Sequence, residues 1–165
     1  FIYLLADQPN LALLLVILAA AVGGFLYWNM PPARIFMGDA GSGFLGIMLG
    51  AFSLHVAWMS PHYFCAWLIL LGVFITDATL TLFRRLVRGE KVYQAHRSHA
   101  YQHAALNFGA HGKVTLTVAL INTLWLLPIA VLVAAGKVNA ILGLLTAYLP
   151  LTWIAYKFDA GVEAA

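Results

Sequence analysis

Residues 11–28 read Leu-Ala-Leu-Leu-Leu-Val-Ile-Leu-Ala-Ala-Ala-Val-Gly-Gly-Phe-Leu-Tyr-Trp, a run without a single charged side chain. At 1.5 Å of rise per residue, a helix of that length covers about 27 Å, close to the roughly 30 Å of hydrocarbon in a bilayer. The run therefore reads as a membrane span. The whole chain obeys the same arithmetic: of 165 residues, 63% are hydrophobic and 9% charged, nine Lys or Arg against six Asp or Glu. Soluble domains carry about 25% charge, so these side chains cannot coat a water-exposed globule. A cytosolic enzyme domain, a disordered segment and a nucleic-acid-binding module are excluded, and nucleic acid is not an expected partner. The single cysteine, Cys65, excludes a disulfide scaffold and a cysteine-rich metal knuckle.

The composition predicts an all-α integral membrane protein, one membrane domain over residues 1–165. About five transmembrane helices are expected, at 11–28, 38–59, 63–83, 114–135 and 140–156. Between them lie Asn29-Met-Pro-Pro-Ala-Arg34, Ser60-Pro61-His62, a polar basic segment over 84–113, and Gly136-Lys-Val-Asn139. Pro150 is expected to kink the last span. The opening Phe1-Ile-Tyr-Leu-Leu5 has no initiator Met, basic n-region or small-residue cleavage site, so it is not a signal peptide. It reads as the last turn of an earlier apolar helix, and the expectation is the C-terminal part of a longer polytopic protein.

If the loop at 29–34 is cytoplasmic, alternation puts Arg34, Arg84, Arg85, Arg88, Lys91, Arg97, Lys113 and Lys157 on one side and Lys137 alone on the other. Eight against one is a strong positive-inside asymmetry. Arg84, Arg85 and Arg88 serve either this topology or contact with lipid phosphate.

Three constellations could carry chemistry on the basic side. In Ile35-Phe-Met-Gly-Asp-Ala-Gly-Ser-Gly-Phe-Leu-Gly46, a carboxylate stands where a loop meets a span. Gly38 and its neighbours would let the backbone approach a ligand, and helix N–H groups suit phosphate. Asp39 there could hold Mg²⁺, which takes one or two carboxylates plus substrate phosphates. Alternatively Asp39 or Ser42 caps the helix and the glycines serve packing. Second, His96-Arg-Ser-His-Ala-Tyr-Gln-His103 crowds His96, Arg97, His99 and His103 into eight residues. These could bind a diphosphate directly, or pair His99 with His103 on a metal, or form a solvated loop. Third, Asp77 lies inside the third span, and an ionisable group there is a functional candidate by default; pairing with Arg84 or Arg85 is the plainer reading.

Asn29-x-x-Pro32-Ala-Arg-Ile-Phe-Met-Gly-Asp39-Ala-Gly-Ser42 resembles the signature of the polyprenyl-phosphate N-acetylhexosamine-1-phosphate transferases, which include phospho-N-acetylmuramoyl-pentapeptide transferase. Asp77-Ala-Thr-Leu-Thr-Leu-Phe-Arg-Arg-x-x-Arg-Gly89, followed by the histidine segment, resembles the branch that initiates O-antigen synthesis. The resemblance runs from about Gly23 to Gly112. It implies transfer of a sugar-1-phosphate from a UDP-sugar to undecaprenyl phosphate, releasing UMP, at the cytoplasmic face of a bacterial inner membrane.

By resemblance, Asp39 corresponds to the magnesium-binding aspartate, with Mn²⁺ the other cation for that place. Asn29 corresponds to an asparagine that contacts the nucleotide-sugar, and His99 to the first histidine of the family's histidine motif. Asp39, His99 and Asp77 are the candidate catalytic residues; Asn29, Gly38, Ser42, His96, Arg97 and His103 are the candidate substrate-binding ones. Membrane lipid is an expected partner and a homodimer is open.

Two departures stand out. Many relatives follow the first histidine with others in close succession, whereas here Ala100-Tyr-Gln102 follows His99, and no Asp-Asp pair occurs in the chain. The family's paired acids are expected upstream, and residues 1–165 alone are expected to be inactive. The competing reading is a proton-coupled carrier that uses Asp77 and the histidines as a relay.

Overall fold

The computed structural model describes residues 1–30, 32–90 and 98–162, and all regular structure among them is helical. The helices are α1 (Ile2–Leu5), α2 (Pro9–Asn29), α3 (Asp39–Met59), α4 (Pro61–Leu70), α5 (Gly72–Val87), α6 (Ala100–Phe108), α7 (His111–Leu120), α8 (Leu127–Ala134) and α9 (Ala140–Lys157). Between α7 and α8, residues Ile121–Leu126 form a π-helical segment, so His111–Ala134 is one continuous span. Four helices are long and apolar enough to cross a membrane, and a fifth span arises if α4 and α5 are counted together. The protein is an all-α, multi-pass membrane protein.

The stretch expected as a third straight span, 63–83, is broken: α4 and α5 meet at 74°. The cause is local. The Leu68 carbonyl, which a continuous helix would offer to Gly72, accepts a hydrogen bond from the Tyr148 hydroxyl of α9 at 2.9 Å. Leu151 of α9 fills the space beside Gly72, so close that a Cβ there would lie 3.0 Å from Leu151 Cδ1. Glycine at the break lets α9 press into it.

α4 is the hub, packed against α3, α8 and α9, while α5 lies on α9. Val56, Ala66, Ile69, Leu126, Ala130 and Val133 are sealed from solvent at the centre. Small residues set the helix spacing: a Cβ on Gly143 would run into Val133. α2 behaves differently. It is apolar around its circumference and buries none of its residues, the signature of a helix solvated by lipid or by other helices.

The π segment has a cause in the sequence. Pro128 lacks an N–H and its ring crowds the carbonyl four residues back; widening the preceding turn relieves that conflict.

Candidate active site

Asp39 occupies the first turn of α3, and Gly38 is the N-cap residue with no side-chain cap bond. Neither Asp39 nor Ser42 caps the helix; the Ser42 hydroxyl instead donates back to the Asp39 carbonyl at 3.2 Å. The exposed Asp39 carboxylate carries no hydrogen bond among the described residues. A Cβ at Gly38 or Gly43 would meet nothing within 4 Å, so packing within this chain does not explain these glycines.

Asp77, by contrast, is fully engaged. Its Oδ1 accepts from the Ala100 backbone N–H at 2.8 Å and from the Thr81 hydroxyl at 3.2 Å; Oδ2 faces the Tyr101 N–H at 3.4 Å. A carboxylate of α5 thus caps the N-terminus of α6, 23 residues away in sequence. A negative charge at this end of a helix is favourable for the free N–H groups and the helix dipole. His99 is the N-cap residue of α6; its Nδ1 lies 3.4 Å from Asp77 Oδ1 and its ring stacks on Tyr101 at 5.8 Å. Gln102 closes the capping box by accepting from the His99 N–H. The histidine is therefore held by backbone, carboxylate and ring together.

Asp39, Ser42, Asp77 and His99 line a single open cleft of about 920 Å³, walled by α3, α5, α6 and α7. Asn29, Gly38 and His103 are not among its lining residues. Asn29 ends α2 and donates from Nδ2 to the Ile35 carbonyl at 2.8 Å, pinning its own loop. His103 turns away, its Nε2 lying 2.9 Å from the Val162 carbonyl. His96 and Arg97 lie outside the described residues.

The arginines of α5 work on the protein itself. Arg84 donates to the Ala160 carbonyl and Arg88 to the Gly161 carbonyl, at 2.8 and 2.7 Å. Arg85, 4% exposed, pairs with Glu90 at 2.8 Å. The hydrogen bond from Arg85, with the nearby charges of Arg85 and Arg88, holds Glu90 below the usual carboxylate range against a smaller opposing effect of burial. Residues 158–162 are threaded between these arginines and α6 as a strap, which also donates from the Gly161 N–H to the Ser98 carbonyl. Sequence reasoning missed this strap. Gly161 turns it with a φ of +83°, a conformation that favours glycine.

No group of three or more His, Cys, Asp or Glu able to hold a metal exists among the described residues. A Zn²⁺-type cage is thus not built there. Mg²⁺ or Mn²⁺ fits the donor set differently: hard cations accept few protein carboxylates and complete their shells with water and substrate phosphate oxygens. Asp39, hydrogen-bond-free on its carboxylate and at the cleft wall, has the chemistry for that place. Asp77, its oxygens taken up by α6 and Thr81, does not.

The sequence model described as glycosyl transferase family 4 matches residues 1–57. A "probable undecaprenyl-phosphate N-acetylglucosaminyl 1-phosphate transferase" of Bacillus subtilis (strain 168) is 36% identical over 128 residues, 76% of this chain and 35% of that protein. The phospho-N-acetylmuramoyl-pentapeptide-transferase of Paenarthrobacter aurescens (strain TC1) is 52% identical over 52 residues, 32% of this chain and 14% of the relative. Its namesake from Thermosynechococcus vestitus is 37% identical over 75 residues, 46% and 18% respectively. The chain thus spans about a third or less of the length of these relatives. No solved structure matches.

Proposed function

From the premise that this chain belongs to glycosyl transferase family 4, we propose that it forms part of a sugar-1-phosphate transferase acting on a UDP-sugar and undecaprenyl phosphate. The reaction belongs to the cytoplasmic face of a bacterial inner membrane, where the basic loops would lie, and begins the synthesis of a cell-wall or surface polysaccharide. The carrying observation is the cleft in which Asp39, Ser42, Asp77 and His99 converge from three helices.

An oxygen of the lipid phosphate attacks the phosphorus that bears the sugar. A new P–O bond forms, the P–O bond to the second phosphate breaks, and UMP departs with the electron pair. Asp39 would hold Mg²⁺ or Mn²⁺, which when bound offsets charge on the diphosphate. His99, fixed by Asp77 through Nδ1, lines the cleft where the UMP phosphate would leave, and when protonated its other ring nitrogen can donate to the oxygens that gain charge. Asp77 is a positioning residue, since its oxygens face α6, Thr81 and His99. Assembly as a homodimer rests on family resemblance alone. The carrier reading loses its support, because the matched relatives are named as transferases.

The test is cation-dependent release of UMP from UDP-N-acetylhexosamines in the presence of undecaprenyl phosphate, by the full-length transferase of which this chain is proposed to form part. Asp39→Asn is expected to lower the rate at least about 100-fold, the scale on which charge-stabilising groups act. Full activity and unchanged cation dependence in that variant would sink the assignment.

A further inference from the structure

Three consecutive carbonyls beyond α9 are each taken by a side chain from another helix. Arg84 donates to Ala160 and Arg88 to Gly161, at 2.8 and 2.7 Å, and His103 Nε2 lies 2.9 Å from the Val162 oxygen. A carbonyl only accepts hydrogen bonds, so Nε2 carries a proton there. Segments that have left a helix usually run over the surface and are mobile. This one is pinned at every residue from 160 to 162.

What the strap grips is the start of α6. The Gly161 N–H donates to the Ser98 carbonyl, and Ser98 is fully buried. Ala160, sealed from solvent, packs with Ala100 and Ala155. Phe158 meets Phe108, the last residue of α6, with ring centres 6.0 Å apart. α6 needs such anchorage. Its nine residues are too few for a helix to be stable alone in water, and its buried residues, Ala100, Ala104 and Ala105, offer only methyl groups to seat it.

The two anchors of α6 meet at His99. The Ser98 carbonyl belongs to the peptide plane before His99, and the strap holds it. The Ala100 N–H belongs to the plane after His99, and Asp77 holds that one. Peptide planes are rigid, so two fixed planes fix the φ and ψ between them, here −78° and 146°, and with them the direction in which the imidazole leaves the backbone. Asp77 sets one plane and touches the ring; the strap sets the other plane without touching the ring.

We propose that Arg84, Arg88 and His103 are positioning residues for the transfer step: by clamping strap 158–162 along α6, they fix the peptide plane that precedes His99 and so the aim of its ring into the cleft. The proposal rests on the transferase reading given above. It gives His103 a duty other than substrate binding, and gives the α5 arginines one beyond topology.

The test uses the full-length transferase in lipid nanodiscs, with rates of UMP release from UDP-N-acetylglucosamine taken per molecule of monodisperse enzyme. Arg84→Met and His103→Leu each remove one anchor, whereas Arg84→Lys and His103→Gln keep a donor. Losing an anchor should lower kcat about 10-fold, the scale of a reacting group displaced by less than about 1 Å, with KM within about twofold of wild type. The donor-keeping variants should recover most of that loss. Added to His99→Ala, Arg84→Met or His103→Leu should lower the remaining rate less than about twofold, because residues that act through one another are not additive. Where His99→Ala leaves no rate to compare, the split between kcat and KM and the recovery by Lys and Gln decide. Unchanged kcat in both anchor-removing variants, a raised KM in place of a lowered kcat, no recovery, or an equal loss in the His99→Ala background overturns the proposal alone. So does failure of both variants to fold, since the strap would then serve stability. Wild-type enzyme that releases no UMP overturns the transferase reading, and this inference with it.

Discussion

Asp77 shows how a residue can stand out in a sequence while its partner stays hidden. A carboxylate inside an apolar stretch is expensive enough to be noticed, and the sequence alone marks it. Its partner was not legible, because the Ala100 N–H is contributed by a helix that begins 23 residues later. Arg84 and Arg85, the near neighbours that spacing suggests, are occupied by Ala160 and Glu90. If Asp77 positions His99, then Asp77→Ala removes a helix cap and should cost about 1–2 kcal/mol. The cost would be read as faster amide exchange at residues 100–102. Asp77→Asn keeps an acceptor oxygen and should cost less, while still slowing transfer at an unchanged KM for the UDP-sugar. An Asp77→Asn enzyme as fast as wild type would remove His99 placement from its duties. The loop-to-helix junction at Asp39 was legible for a simpler reason: its segment is continuous in sequence, and loop, cap and first turn are all local.

At the scale of elements, α5 is the piece on which the site depends. One face carries Thr76, Asp77, Thr81 and Arg85, all turned inward, while Phe74, Leu82, Phe83 and Val87 are exposed. The inward face holds α6 through Asp77 and the strap 158–162 through Arg84 and Arg88. Gly161 is the strap's weak point: φ is +83°, and a Cβ would lie 2.8 Å from Arg84 Cβ and 3.1 Å from the Thr81 carbonyl. Gly161→Val should therefore release the strap, at roughly 1–3 kcal/mol of local stability. Protease sensitivity near residue 160, with loss of exchange protection at Ser98–Ala100, would register it. An unaltered protection pattern would mean that the strap is incidental to the histidine segment. The helices that run straight could be read from hydropathy. The 74° break and the π segment could not, because each answers to a neighbour or to a steric conflict: Tyr148 and Leu151 at the break, Pro128 after the π segment.

At the scale of the whole molecule, the distribution of charge decides which way the protein faces. In a Cys65→Ser background, Lys137→Cys should react with a membrane-impermeant maleimide in intact cells. Lys113→Cys should react only after permeabilisation; the opposite pattern would invert the topology. The basic side also carries a pH dependence. Glu90 is held below the ordinary carboxylate range by Arg85 and Arg88, so its contribution is complete above its unfolded pKa and fades as pH falls through the lowered folded one. Acid should therefore loosen the end of α5, and Glu90→Gln should flatten that response between about pH 5 and 3. Amide exchange at residues 86–90 across that range would measure it.

The bend between α4 and α5 also decides what this helix pair presents to its surroundings. The ten residues of α4 rise about 15 Å, half the thickness of the hydrocarbon. α5 then departs from the α4 axis by 74°, so its exposed side chains Phe74, Phe83 and Val87 face another way than those of a straight span. A span broken in this manner is two short helices with separate apolar faces, each of which must find its own cover.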